Sequence, residues 1–155
     1  MILPVILDAN PLALISLVAG GFDTDDQLAR AQTRTGIRGG FEEADRLVRF
    51  INSHADLIIS APAVGEAGNL IGRLKGDWLI DARNGLARTI LDAREHQQPC
   101  SDIVKEASFL LFGIADAGLL SAAKALDAAL VTDDGRLADF AARSEIQTYS
   151  LFRLP

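Results

Sequence analysis

The tightest constraint on this chain is the stretch 114–136, IADAGLLSAAKALDAALVTDDGR. It starts from one carboxylate, Asp116, and continues through apolar residues at helical spacing, Leu119, Ala123 and Leu126. These positions share one helix face, and Asp116 has the side chain to cap the first turn. The run Ala129, Leu130, Val131 and Thr132 is short and apolar without alternation, which predicts a parallel strand buried on both faces. Two more carboxylates, Asp133 and Asp134, stand at its end. Open α/β sheets place ligands at the carboxyl ends of their strands. Adjacent like charges there raise each other's pKa unless a cation is shared between them.

Two further strands of this kind can be read. Residues 2–7 are apolar with a β-branched centre, Val5 and Ile6, and break at Asp8-Ala9-Asn10-Pro11. Pro11 suits the first turn of a helix running to about Val18, so Asp8 falls at the carboxyl end of a central strand. Residues 57–60 form the other strand, and a helix over 63–75 follows with the stripe Ala63, Ala67, Leu70, Ile71 and Leu74. Glu66 lies at the border of that stripe, where a carboxylate in the first turn can reach over the strand end. Taken alone, it reads first as a complement to the helix dipole. Gly68, Gly72 and Gly76 share a side of the same helix and predict a close helix contact, internal or across a homodimer.

The remaining periodic segments predict helices over 41–54 (Phe41, Ala44, Leu47, Val48 and Ile51 inward), 80–96 (Ala82, Leu86, Ile90 and Leu91 inward), 101–112 and 136–143. Ser101 is placed to cap the third of these and Gly113 to stop it, and a last strand covers 146–151. Residues 20–40, polar and interrupted by glycines, predict the least order, a mobile flap in which 25–33 can be helical. The whole reads as one α/β domain spanning residues 1–155, a size that buries a core without disulfides or a structural metal.

With 15 basic and 21 acidic residues the net charge is -6, which argues against charge-driven nucleic-acid binding but not against nucleic acid as a substrate. Carboxylates that hold divalent cations contribute several of those charges, and bound metal would offset them. Arg30, Arg34, Arg38, Arg46 and Arg49 crowd into twenty positions, interleaved with Glu42, Glu43 and Asp45, as a solvated surface or a substrate track. No uninterrupted apolar run of about 18 residues occurs, so no membrane span is expected. The start lacks the marks of a signal peptide, and a single thiol, Cys100, suits the cytoplasm.

The acids therefore come in the order Asp8, Glu66, Asp116, then Asp133 and Asp134, each beside a predicted strand end or helix start. An oxygen-only set without His or Cys suits Mg²⁺ or Mn²⁺ rather than zinc. His54 and His96, at the ends of predicted helices, read as surface or capping residues. Asp116 and Asp134 each have a helix-capping alternative, and Asp8 a turn alternative before Pro11.

The segments VILDANPL, ISAPAVGEAGNL, FGIADAGLLSAA and ALVTDDGRL, in that order and at those intervals, resemble the PIN-domain nucleases, the group that includes VapC-like toxins of bacterial toxin-antitoxin pairs. The resemblance spans residues 5–137. It implies a three-layer α/β/α fold with a mainly parallel central sheet and a metal-dependent ribonuclease site. Asp8, Glu66, Asp116 and Asp134 match the family's four acids, Asp134 through Thr132-Asp133-Asp134, with Asp133 ranked below it. Asn10 and Thr132 match polar positions that help hold the site. An RNA substrate, an antitoxin partner and a homodimer are implied with it. The departures are a longer 20–40 segment and an acidic balance.

Two other classes compete. A haloacid-dehalogenase-type phosphatase also puts an Asp after its first strand, but it wants a second Asp two residues on, where this chain has Asn10. A catalytically idle PIN-like module that binds RNA or a protein partner would keep the fold without the chemistry.

Overall fold

The computed structural model describes residues 2–155. Short buried strands alternate with helices: β1 (Val5–Leu7), α1 (Ala9–Ala19), α2 (Asp25–Thr35), α3 (Phe41–Asn52), β2 (Leu57–Ser60), α4 (Ala61–Ile71), α5 (Gly76–Asp92), β3 (Arg94–His96), α6 (Cys100–Ile103), α7 (Phe109–Leu126), β4 (Ala129–Thr132), α8 (Gly135–Arg143) and β5 (Thr148–Ser150), closed by a 3-10 turn at Leu151–Arg153. All four strand pairings are parallel, in the order β3-β2-β1-β4-β5. The fold is α/β with helices on both faces of one sheet, as the sequence predicts.

Strand alternation divides the core. Val5, Leu7, Ile59 and Val131 face one apolar cluster with α1, α2, α3 and α5, while Ile6, Ile58 and Leu130 face another with α7 and α8. The chain lays β2 and β3 on one side of β1, then returns to place β4 and β5 on the other. The strand order thus reverses between β1 and β4, and the crevice above such a point is where these sheets bind ligands.

Several expectations need correction. The 20–40 segment is a folded layer: α2 is a full helix, Phe22, Leu28, Ala31 and Ile37 are buried, and Gly36 caps the helix at φ 77, a conformation that disfavours a side chain. The helix expected over 80–96 ends at Asp92, and Arg94–His96 turns into the edge strand β3. Leu91, expected inward, is 83% exposed, while Thr89 takes a buried place. In α3, Phe50 replaces Phe41 and Val48 in the core. Ser101 caps no long helix, because α6 is one turn and the chain becomes helical again at Phe109. Gly113 stops that helix as expected, at φ 83 and ψ -175, and helical geometry resumes beyond it in the segment bearing Asp116.

Within the chain a close helix contact exists, but at other glycines than Gly68 and Gly72. A Cβ on Gly68 would lie 3.9 Å from its nearest neighbour, and one on Gly72 would meet only carbonyls of its own helix. A Cβ on Gly85 would instead stand 1.9 Å from the Ser16 carbonyl oxygen, and one on Gly20 would stand 2.3 Å from that of Asp81. The α1 and α5 backbones therefore pack directly against each other.

By length and mean hydropathy (1.6), α7 passes as a membrane-crossing helix. It carries Asp116 and Lys124, and Ala117, Leu119, Leu120, Ala122 and Ala123 are buried in this fold.

Candidate metal centre

The site lies at the switch point between β1 and β4. Asp8 leaves β1 and caps α1, its Oδ1 accepting from the Ala9 N–H at 2.6 Å. Its other oxygen accepts from the Thr132 hydroxyl, the last residue of β4, at 2.7 Å. The Thr132 oxygen accepts in turn from the Asp134 N–H at 3.0 Å. One hydroxyl thus joins the ends of two strands, giving Thr132 the holding role expected of it. Asp134 caps α8 by accepting from the Arg136 and Leu137 N–H groups through Oδ1. Its capping alternative is therefore realised, and the second oxygen of the carboxylate is left for other partners.

Asp116 is not a cap: Ser108 precedes the first turn of α7, and Asp116 follows the break at Gly113. Burial pushes its carboxyl up to about 7, and the charges of Asp8, Glu66 and Asp134 push in the same direction. Glu66 sits on the second turn of α4, not the first; its pKa is raised by partial burial and by the charge of Asp8. Asp8, only 8% exposed, is raised chiefly by burial, against the Thr132 and Ala9 hydrogen bonds and with the repulsion of Asp133 and Asp134. Four acids from four elements thus feel one another at one sheet edge.

Asp133 has a different environment. Burial raises its pKa, while Arg38 opposes the rise through an ion pair at 3.3 Å. Asn10 makes no hydrogen bond to a carboxylate among the described residues. It clamps the Arg38 backbone in both directions, Oδ1 accepting from its N–H at 2.7 Å and Nδ2 donating to its carbonyl at 3.1 Å. Arg38 is the residue that sequence reasoning missed, having been counted only among the crowded arginines. Its flanking glycines, Gly36 and Gly39, were the available signal, since both take positive φ. Ser60, at the end of β2, has a buried hydroxyl with no partner among the described residues. His54 lies against the last turn of α3 as expected, 2.6 Å from the Phe50 carbonyl. His96 instead stands on β3 beside Ser60.

Among the described residues no three carboxylate, imidazole or thiol groups are gathered as a ready ligand set. Mg²⁺ does not require one, because it keeps several waters and takes one or two carboxylates directly. The donor chemistry fits a hard divalent cation: oxygen only, mutually repelling, with one guanidinium at the margin.

The electrostatics also predict how stability responds to pH. Asp116 has an ordinary value of 3.8 and a folded value of about 7, so between these the folded chain keeps a proton that the unfolded chain has lost. Stability therefore falls as pH rises through that window, and the loss is complete above about pH 7. Discounted for a half-exposed group, the effect is about 1–2 kcal/mol. In EDTA, melting should occur several degrees higher near about pH 5 than near about pH 8. An unchanged or rising melting temperature across that range would contradict the coupled-acid description.

No protein-family model matches the sequence, and no curated protein matches it.

Proposed function

We propose that the chain is a metal-dependent ribonuclease that hydrolyses RNA phosphodiester bonds. Asp8, Glu66, Asp116 and Asp134 would hold Mg²⁺ or Mn²⁺, with Asp133 at the margin. The supporting observation is the mutual coupling of these four acids at the switch point, where Asp116 is held near pKa 7. A divalent cation bound there supplies a lowered pKa for water and charge neutralisation at phosphate.

The chain's own groups have separable tasks in this proposal. Asp116 would be held ionised by the cation, which offsets the repulsion from Asp8, Glu66 and Asp134 that raises it in the metal-free chain. Thr132 fixes the orientation of the Asp8 carboxylate, and Asn10 fixes the backbone of Arg38. The Arg38 guanidinium, paired with Asp133, is a cation within reach of a phosphate brought to the acids. The finer form of the proposal is the toxin of a toxin-antitoxin pair, restrained by a protein partner.

A catalytically idle PIN-like module that binds RNA or a protein partner is the second reading. Purified protein incubated with mixed single-stranded and structured RNAs separates the two. Cleavage with Mg²⁺ or Mn²⁺ and none in EDTA is the expected result. A folded protein that cuts nothing with any divalent cation would defeat the nuclease reading.

A further inference from the structure

One basic groove stands apart from the acidic centre. Arg30, Thr33 and Arg34 of α2 face Leu74 and Lys75, just before α5, and Trp78 in its first turn across a groove of about 410 Å³. No acidic residue lines it, in a chain of net charge -6. Arg30 shares its charge with Asp26 at 3.1 Å, whereas Arg34 and Lys75 make no ion pair among the described residues. Lys75 also occupies the N-cap of α5, where a cation opposes the helix dipole. Its side chain makes no capping hydrogen bond there. Trp78 is half-buried and held edge-on to Phe22 at 5.3 Å between ring centroids. It forms a fixed aromatic wall beside two free cations.

We propose that this groove binds a single-stranded stretch of RNA flanking the scissile position, with phosphates on Arg34 and Lys75 and a base against Trp78. Cations that track the backbone beside an aromatic side chain that stacks a base are the general means of holding single strands. The groove is linked to the acidic centre through α2. Arg34 is on its last turn, Gly36 caps it, and Arg38 then reaches Asp133. Four residues of chain place Arg34 within about 14 Å of Arg38. Arg73 braces that end of α2 by donating to the Thr35 carbonyl at 2.8 Å. An acidic peptide would satisfy the cations but make no use of the aromatic wall.

The assignment of RNA rests on the nuclease proposal, and the two can fail separately. Trp78 is the only tryptophan, so its fluorescence reports this groove directly. Asp116→Asn protein in EDTA, titrated with a short oligouridylate, should show quenching of that emission. Adding Arg34→Gln and Lys75→Gln should weaken binding, with a salt dependence shallower by about 1.4, at about 0.7 per lost phosphate contact. Circular dichroism of the added variant should match that of its parent. Absent quenching, or identical titrations of the two proteins, would overturn the groove assignment even if the wild-type chain cuts RNA. So would quenching by polyglutamate without quenching by RNA. Quenching as expected in a chain that cuts nothing would retain the groove and remove the nuclease.

Discussion

Asp116→Asn should abolish metal-dependent RNA cleavage and at the same time make the metal-free protein more stable at about pH 8. The first effect should reach about a thousandfold or more, because a metal site contributes several kcal/mol to the transition state and each 1.36 kcal/mol is about tenfold in rate. The second follows from the neighbours: burial and the charges of Asp8, Glu66 and Asp134 all oppose ionisation of Asp116, and no hydrogen bond counters them. The amide keeps the shape and removes the charge. Cleavage assays paired with melting curves in EDTA measure both. A misfolded variant would lose activity and stability together, so opposite movements identify a functional carboxylate held against its own preference. Activity retained within about tenfold would remove Asp116 from the site.

The largest loss of stability is expected far from the acids, at Gly85→Ala. The added Cβ would sit 1.9 Å from the Ser16 carbonyl oxygen and 2.5 Å from the Gly20 nitrogen. Both are backbone atoms, which no rotamer change can move aside. Overpacking typically costs about 1–3 kcal/mol, and a contact this short should cost about 3 kcal/mol or more. That is a large part of the usual 5–15 kcal/mol of a domain. Gly68→Ala provides the control, since its Cβ meets only Leu86 Cδ2 at 3.9 Å and alanine is the better helix former by about 1 kcal/mol. Melting should therefore fall by roughly 6 °C or more for Gly85→Ala and hold or rise for Gly68→Ala. Equal melting of Gly85→Ala and wild type would show that α1 and α5 can separate at no cost.

Legibility in the sequence followed burial. Residues 57–60 and 129–132 were read to the residue, because strands covered on both faces are continuous apolar runs with sharp polar ends. Arg94–His96 was invisible as a strand. An edge strand with exposed side chains needs no apolar pattern, so the helical spacing of α5 was read on through it. The glycines of 20–40 suggested disorder, yet Gly20 marks a backbone contact and Gly36 a helix cap. Composition alone does not separate these uses. A close helix contact, internal or across a dimer, was expected on α4, where three glycines share a side, but the internal one is made by Gly85 of α5 and Gly20 at the end of α1.

Glu66 lies on the second turn of α4, but Asp8, Asp116 and Asp134 were legible as candidates because each follows a strand end or a helix restart, and these can be counted in sequence. Arg38 was not, because its placement depends on Asn10, twenty-eight positions away, gripping its backbone. The capping role of Asp134 was foreseen as an alternative to ligation. The structure makes the two compatible, since one oxygen caps while the other stays available.

The Thr132 hydroxyl, between Asp8 and the Asp134 amide, sets the gauge of the crevice. The Asp8 N–H also donates to the Val131 carbonyl at 3.0 Å, so backbone and side chain together tie the two strand ends to each other. The loops around them can lengthen, shorten or change charge while the distance between the two strand ends stays constant. A fold arranged in this way can vary its surroundings without moving Asp8 and Asp134 apart.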